Sequence, residues 1–307
     1  MERGLNVIAE RFSKEEFFRA NGFSRQFLYK KKKSSIKREE IEESTILKVK
    51  EVRKKHRRMG SRTMYHQLKI DYMGINKFEK IVSKNGLTIQ QKRKRIITTD
   101  GFYEKCDTNL INGLTLNNIN QVIAGDITYL ILKDKTYYIF TLKDMYSKRI
   151  IGLYGSDNML AMNAIMTLKQ AIKLRGVEIN NCIHHSDAGS QYKSNEYKNM
   201  LIKHQIKMSK AENCLQNGMS EQLNGVLKND YIIKDIKNLA DLNKQLKEIK
   251  RLFNEERPVK ELNYKTPVEF EKWLHTTNNP PKMKLYDFTN EIRGTLRRHN
   301  NKKSLVN

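Results

Sequence analysis

The sequence is poor in cysteine and has no long apolar run. Its three cysteines, Cys106, Cys182 and Cys214, are scattered and form no Cys-x-x-Cys pair. This argues against a structural zinc site and for a reducing compartment. No apolar stretch approaches the length of a membrane span, and the first residues lead into no signal-peptide core. The sequence therefore predicts a cytoplasmic protein without a membrane partner.

Acidic residues are also scarce relative to basic ones. The 307 residues contain 59 lysines and arginines against 34 aspartates and glutamates, which gives a formal net charge of +25. Such an excess is typical of proteins that bind a polyanion, and nucleic acid is the commonest one. The length suits about two domains.

The first part of the chain is helical and basic. Ser13 and Glu16 have the spacing of a capping box. A turn at Gly22 followed by a helix over 24–29 fits the second half of a helix-turn-helix. The predicted DNA contacts here are Ser24, Arg25, Lys30 and Lys31, although a solvated helix end explains the lysines equally well.

A second helical unit follows, with a helix over 39–58 and two short helices over 63–68 and 77–85. Gly86 is the predicted C-terminal cap of the last one. The predicted DNA contacts of this unit and of the basic linker behind it are Arg57, Arg58, Arg62, Lys92 and Arg93. A helical oligomerisation module is the alternative interpretation.

From Gln121 onward the pattern changes to strands. Three segments rich in β-branched and aromatic residues, over 122–132, 136–142 and 149–154, predict an antiparallel meander. A helix over about 160–172, a strand over 181–186, a helix over 194–204, a short strand over 206–209 and a further helix after residue 216 follow. This order predicts an α/β fold with a mixed five-stranded sheet and helices on both faces.

Three carboxylates fall at positions where such a sheet gathers ligands. Asp126 interrupts an apolar strand, where an Asp is costly unless it binds something. Asp187 ends the fourth strand, and Glu221 lies in the first turns of the helix behind it. Clustered carboxylates repel one another and need cations. Because hard oxygen ligands select Mg²⁺ or Mn²⁺, the sequence predicts a two-ion site for phosphoryl transfer.

Each of these residues also has an ordinary structural explanation: a solvent-facing strand position, a turn and a helix-start charge. Asp144 competes with Asp126 as the first carboxylate, but it lies just before a turn. His184 and His185 precede Asp187, and histidines there more often support ligands than bind metal. Lys228 follows Glu221 by seven residues, about 10.5 Å along the same helix face. It is predicted to hold a DNA phosphate, with an ordinary exposed lysine as the alternative.

The motifs around these residues resemble those of insertion-sequence transposases encoded by a second open reading frame, whose catalytic domain is the retroviral-integrase core. The matching stretches cover the three carboxylates, the C-terminal Arg-Pro and Tyr-x-Thr-Pro signatures and the helical arm; they are 22–29, 57–86, 120–129, 184–192, 208–228, 256–258 and 264–267. The resemblance implies a ribonuclease-H-like core and a DDE active site made of Asp126, Asp187 and Glu221. The family's motif also carries a lysine at the position of Lys228.

This chain departs from the family's pattern at several positions. Ile123 replaces the usual Trp before the first Asp, and Val259 replaces the His after Arg-Pro. Gln216 begins the segment that replaces the usual Asp-Asn-Ala, and the gap from Asp187 to Glu221 is slightly shortened. All three acids are nevertheless present, so catalytic activity is expected.

The resulting functional prediction is a DDE transposase that cleaves mobile-element ends and transfers the strand into target DNA. The alternatives are a non-catalytic DNA-binding protein derived from a transposase and a ribonuclease-H-like nuclease without joining activity. The predicted divisions are a helical DNA-binding arm over 1–95, a linker over 96–119, a catalytic core over 120–275 and a basic tail over 276–307. The expected partners are double-stranded DNA, further copies of the chain on that DNA and an upstream-encoded transposase subunit, in the bacterial nucleoid.

Overall fold

A computed structural model describes residues 16, 19–22, 24–89, 109–132, 135–187, 189–211, 218–231 and 236–285. Lys92 and Arg93, the capping residue Ser13 and most of the predicted tail lie outside these residues. The backbones of Arg25 and Glu221 are described within helices, but their side chains are not. In the described part, no helix is both long and apolar enough to span a membrane.

Three helices of the arm lie in the described residues from 24 onward: α1 (Arg25–Lys55), α2 (Ser61–Gln67) and α3 (Ile75–Lys84). Ser24 caps α1, since its hydroxyl accepts a hydrogen bond from the Phe27 N–H at 3.1 Å. The prediction of separate helices over 24–29 and 39–58 is wrong. No Gly or Pro occurs between 25 and 55, and Lys and Glu are good helix formers, so one 31-residue helix forms.

The two short helices behind it confirm the sequence pattern, and Gly86 takes the left-handed φ of +66° expected of a C-terminal cap. Side chains of all three helices share a small apolar core. Its fully buried members are Val49, Met59, Met64 and Phe78.

The core domain is built on a five-stranded sheet with the order β4–β3–β2–β5–β6. The strands are β2 (Val122–Leu132), β3 (Lys135–Asp144), β4 (Ile150–Ser156), β5 (Ile183–Ser186) and β6 (Lys207–Lys210). The first three are antiparallel neighbours, whereas β5 is parallel to β2 and β6 is parallel to β5. The predicted mixed, ribonuclease-H-like sheet is confirmed.

A second, two-stranded sheet pairs β1 (Thr115–Leu116) with β7 (Met283–Lys284). Leu116 is fully buried among side chains that include Val122 and Phe270. The end of the predicted linker therefore packs on the core.

Helices cover both faces of the large sheet. On one face lie α4 (Ala161–Arg175), α5 (Ser190–Lys193) and α6 (Asn195–Lys203), and on the other lie α7 (Gly218–Asp230) and α8 (Leu239–Arg251). A π-helical turn (Leu252–Glu256), a 3₁₀ turn (Lys260–Leu262) and α9 (Pro267–Leu274) complete the described chain. Helix α8 approaches β4 so closely that a Cβ on Gly155 would lie 2.5 Å from the Leu242 side chain.

Candidate active site

The sheet register brings the segments that carry Asp126 and Asp187 together. Strands β2 and β5 are parallel, and their last paired residues are Gly125 and Ser186. Asp126 is the next residue of β2, and Asp187 is the first residue after the end of β5. Neighbouring strands lie only about 4.8 Å apart. The register therefore agrees with the prediction that the two carboxylates lie close together at the carboxyl end of β5.

Asp126 is buried and both of its oxygens accept hydrogen bonds. Oδ1 accepts from the Ile127 N–H at 2.9 Å, and Oδ2 accepts from the Asn224 side-chain amide at 2.6 Å. Only 8% of Asp126 and 8% of Asn224 are exposed. Since a carboxylate is costly to bury without donors, Asn224 stabilises the charged form of Asp126. The role of Asn224 was missed at the sequence level, although it follows Glu221 by three residues on one helix face.

Asp187 lies at the more open side of the site. Its Oδ1 accepts a hydrogen bond from the Gly189 N–H at 3.3 Å. Although the residue is exposed, surrounding protein atoms partly desolvate the carboxylate, and this burial raises its pKa above the ordinary value. The hydrogen bond from Gly189 and the charge of Lys193 oppose that rise. A partly desolvated carboxylate with one long hydrogen bond is suited to binding a cation.

The charges of Asp126 and Asp187 also affect the pKa of the buried Tyr192. Its pKa is raised well above the ordinary range, first by burial and then by the charges of Tyr197, Asp187 and Asp126. Tyr192 therefore stays protonated at neutral pH.

Helix α7, which carries Glu221, packs against one face of the sheet. Glu221 lies three residues before Asn224, which is about 4.5 Å along the helix axis. The hydrogen bond between Asn224 and Asp126 fixes this part of α7 against β2. Among the described side chains no group of three potential metal ligands is present, and the side chain of Glu221 is not one of those described. The convergence of all three acids stays a prediction.

The donor set fits a hard divalent cation. Carboxylate oxygens are the ligands that Mg²⁺ and Mn²⁺ prefer, and partial desolvation raises the pKa of Asp187. Asp126 and Asp187 are thus the described residues that could hold a metal.

Asp144, the competing first carboxylate, has a structural role. It is fully buried, and its oxygens accept hydrogen bonds from the N–H groups of Asn120, Tyr146 and Ser147. Arg175 lies 3.7 Å from it. These contacts shape the turn between β3 and β4, and they leave Asp144 inside the fold.

His184 and His185 also point into the fold. His184 Nε2 is 3.0 Å from the Tyr197 hydroxyl, and His185 Nδ1 is 3.0 Å from the Ser209 hydroxyl. Both imidazoles are buried, and burial is the main reason that the pKa of His184 falls to about 3. The geometry agrees with a supporting role beside the carboxylates.

Lys228, the predicted phosphate ligand, lies over an aromatic ring. Its ammonium is 4.6 Å from the centroid of Tyr129, a side chain that is 59% exposed. Partial burial lowers the pKa of Lys228, and the charge of Asp126 partly offsets this effect. A cation and an exposed aromatic ring thus lie together beside the last turns of α7.

The predicted DNA contacts of the arm are dispersed. Lys30 and Lys31 are exposed along α1, and Ser24 caps its start. Arg62 forms an ion pair with Glu79 at 3.0 Å. Arg57 is exposed and Arg58 is half-buried.

Arg58 is the predicted contact that comes near α7. It shares a groove of about 800 Å³ with Ser61 of the arm and with Gln222, Gly225 and Asn229 of α7. The groove therefore runs between the arm and the helix that carries Glu221.

The arm is attached to the end of α7. His56 is fully buried, and its Nδ1 lies 2.9 Å from the Tyr231 hydroxyl. Glu256 lies 3.5 Å from His56 Nε2 and 3.2 Å from the Lys55 ammonium. Contacts of this kind join residues far apart in sequence, and no local pattern indicates them.

Comparisons with known proteins agree with this architecture. Two integrase core domain families match the chain, over residues 117–213 and 202–267. A protein assigned as transposase InsK for insertion sequence element IS150 of Escherichia coli is 30% identical over 131 residues, and a transposase-like protein of Haemophilus influenzae is 33% identical over 135 residues. The matches cover 41% and 42% of this chain and 46% and 60% of the relatives, so the chain spans about half the length of the curated relatives it matches.

Among solved structures, the magnesium complex of the HTLV-2 integrase catalytic core domain is similar, with a TM-score of 0.41 and 21% identity over 53% of this chain and 99% of that one. The simian T-cell lymphotropic virus intasome with the PP2A regulatory subunit B56 gamma gives a TM-score of 0.42 and 17% identity over 73% of each chain. Residues 117–267 of this chain are similar to integrase core domains, and the resemblance to insertion-sequence transposases that the motifs predicted is confirmed.

Proposed function

We propose that this protein is a DNA transposase that nicks the ends of a mobile element and joins the 3′-hydroxyl to a phosphate of target DNA. The observation that carries the proposal is the parallel pairing of Gly125 with Ser186, directly before Asp126 and Asp187, together with the hydrogen bond from Asn224 of α7 to Asp126. The similarity to proteins assigned as transposases supports the same reaction class.

Asp126, Asp187 and Glu221 would hold two Mg²⁺ ions, for which Mn²⁺ can substitute. Such ions supply activation of the attacking oxygen and stabilisation of the leaving one. The protein's own part is to hold the carboxylates in place. Asn224 and the Ile127 N–H fix the two oxygens of Asp126, and the Gly189 N–H orients Asp187. No covalent protein–DNA intermediate is needed, since water and then a DNA 3′-hydroxyl serve as nucleophiles.

Double-stranded DNA is the proposed substrate. Lys228 would hold a phosphate next to Asp126, and Tyr129 offers the same strand an exposed ring. Arg58 lines the groove between the arm and α7, so DNA bound there would pass close to Glu221. The excess of basic residues favours this assignment. Assembly of several copies on DNA, with or without an upstream-encoded subunit, belongs to the same proposal.

One reaction separates the proposal from its two alternatives. Labelled duplexes copied from the inverted repeats that flank the gene are incubated with the protein and Mg²⁺ or Mn²⁺, together with a target plasmid. The proposal predicts joined product, whereas a nuclease gives cleavage only and a binding protein gives retarded but intact DNA.

Asp187→Asn is the variant that tests the mechanism in this reaction. It should abolish cleavage and joining while the protein stays folded, because one of the three carboxylates that would hold the metal ions is lost. Asp157→Asn, at an exposed carboxylate after β4, is the matched control and should retain full activity. Strand transfer at the wild-type rate by Asp187→Asn would overturn the mechanism.

A further inference from the structure

A cavity of about 380 Å³ lies on the same face of the sheet as Asp126, but is separate from the carboxylates. Its walls come from the end of β3, the turn that follows it, α7 and the 257–261 segment. Thr141 is the register partner of Asp126, whereas Lys143, which lines the cavity, is the partner of Ala124. The cavity thus lies two residues along β3 from Thr141, the partner of Asp126, and Gln222 of α7 forms part of its wall.

Two lysines line this cavity although both are almost completely buried. Lys143 and Lys148 are each only 5% exposed. The Lys148 ammonium donates a hydrogen bond to the Met145 carbonyl at 2.6 Å, and it lies 3.3 Å from Met283 Sδ. Within the described residues, the Lys143 ammonium has no hydrogen-bond partner. The Lys143 ammonium keeps some access at the cavity wall, so an anion in the cavity would supply the acceptor that it lacks.

The charges around the two lysines are not balanced. Burial lowers the pKa of Lys143 to about 8 and that of Lys148 to about 7, and the charge of Lys143 lowers the latter further. Glu261 and Asp144 act in the opposite direction, yet neither forms an ion pair with these lysines in the described part of the chain. The hydrogen bonds of Asp144 go to the turn and to Asn120.

Other basic groups add to the excess. Arg257 and Lys260 also line the cavity, and Arg257 is already paired with Asp230 at 2.5 Å. Glu261 is the one acidic side chain among the described lining residues. The cavity therefore carries positive charge that its own walls do not neutralise.

We propose that this cavity is a phosphate-binding site in which the ammonium groups of Lys143 and Lys148 hold the anion. A phosphate group supplies several acceptor oxygens and up to two negative charges, which matches two crowded ammonium donors. The volume is at the small end of the range of about 300–1,000 Å³ for ligand pockets, which suits a small anion rather than a large cofactor. Because Gln222 and Val226 form one wall, an occupied cavity would also support α7 from behind.

The test is titration of inorganic phosphate into the full chain by isothermal calorimetry, at constant ionic strength and without divalent ions. The wild type should bind phosphate saturably at one site. Lys143→Met should bind at least about tenfold more weakly, the loss expected when one charged hydrogen-bond donor is removed. Lys169→Met, at an exposed lysine of α4, is the matched control and should bind like the wild type.

Lys143→Met should fold, because an unpartnered buried ammonium is exchanged for an apolar chain of similar length, and circular dichroism verifies this. Should it fail to fold, Lys143→Gln serves in its place. Absence of saturable binding, or an equal loss in Lys169→Met, would overturn the proposal.

One further measurement, competition by duplex DNA, identifies the source of the phosphate. A duplex with 5′-phosphates that competes with inorganic phosphate identifies DNA as the source, provided that Lys143→Met removes the competition. If the duplex does not compete, the ligand is a free phosphate and the site is still supported. None of these measurements needs strand transfer, so they stand whether or not the proposed function fails.

Discussion

The hydrogen bond between Asn224 and Asp126 makes a quantitative prediction. Replacing Asn224 with Ala removes a donor to a buried carboxylate, and such hydrogen bonds contribute about 1.5–3 kcal/mol. The other amide atom, Oδ1, is buried without a partner among the described residues, so truncation also removes an unsatisfied acceptor. This gain offsets part of the loss. We therefore expect Asn224→Ala to lower the free energy of unfolding by about 1.5–2 kcal/mol, near the lower end of that range.

A double-mutant cycle isolates this interaction. Asn224→Ala, Asp126→Ala and the double variant are unfolded in urea at pH 7 without divalent ions, and the coupling energy should be about 1.5 kcal/mol. Asn229→Ala is the matched control, since its amide donates to the Gly225 carbonyl of its own helix and should act independently of Asp126. A coupling energy below about 0.5 kcal/mol for Asn224 and Asp126 would refute the reasoning, because it would mean that the two residues act independently.

Three further predictions concern other parts of the molecule. Lys228→Ala should weaken DNA binding on all sequences and reduce the slope of log affinity against log salt by about one, measured by fluorescence anisotropy, and Lys228→Glu should weaken it more. Burial chiefly lowers the pKa of His56 to about 4, so between pH 6.5 and 4 the unfolded chain binds a proton that the folded chain excludes. The free energy of unfolding therefore decreases as the pH is lowered through this range. His56→Gln, which can still bond Tyr231, should reduce this decrease by up to about 1.4 kcal/mol per pH unit in urea unfolding. Glu271→Gln should lower the free energy of unfolding by about 3–5 kcal/mol in the same assay, because it removes the charge of the closer of the two carboxylates that pair with the buried Arg175. An unchanged midpoint would contradict this.

The sequence predicts the sheet because its signals are local. Alternation and β-branched composition mark β2, β3 and β4, and Asp126 stands out since a charge within an apolar strand has few explanations. The parallel pairing of β2 with β5, which ends directly before Asp126 and Asp187, agrees with the mixed sheet that the order of strands and helices predicts. The structure adds Asn224, whose importance depends on how α7 packs against β2.

The arm shows where local reasoning fails. Lys30 and Lys31 suggested the end of a short helix, but lysine is a good helix former and nothing in the following residues breaks α1. The contact between His56 and Tyr231 joins residues 175 positions apart, so no pattern within either segment could indicate it. Nothing in the sequence singles out the two lysines behind α7, Lys143 and Lys148, because only tertiary packing buries them.

The most direct test of the central claim is manganese binding measured by electron paramagnetic resonance, with the protein bound to element-end DNA. Wild-type protein should bind two Mn²⁺ ions, and Glu221→Gln should bind more weakly and with fewer ions, because one of the three carboxylate ligands is lost. Glu196→Gln, at an exposed glutamate of α6, should match the wild type. Unchanged Mn²⁺ binding by Glu221→Gln would contradict the claim that α7 completes a metal site with Asp126 and Asp187.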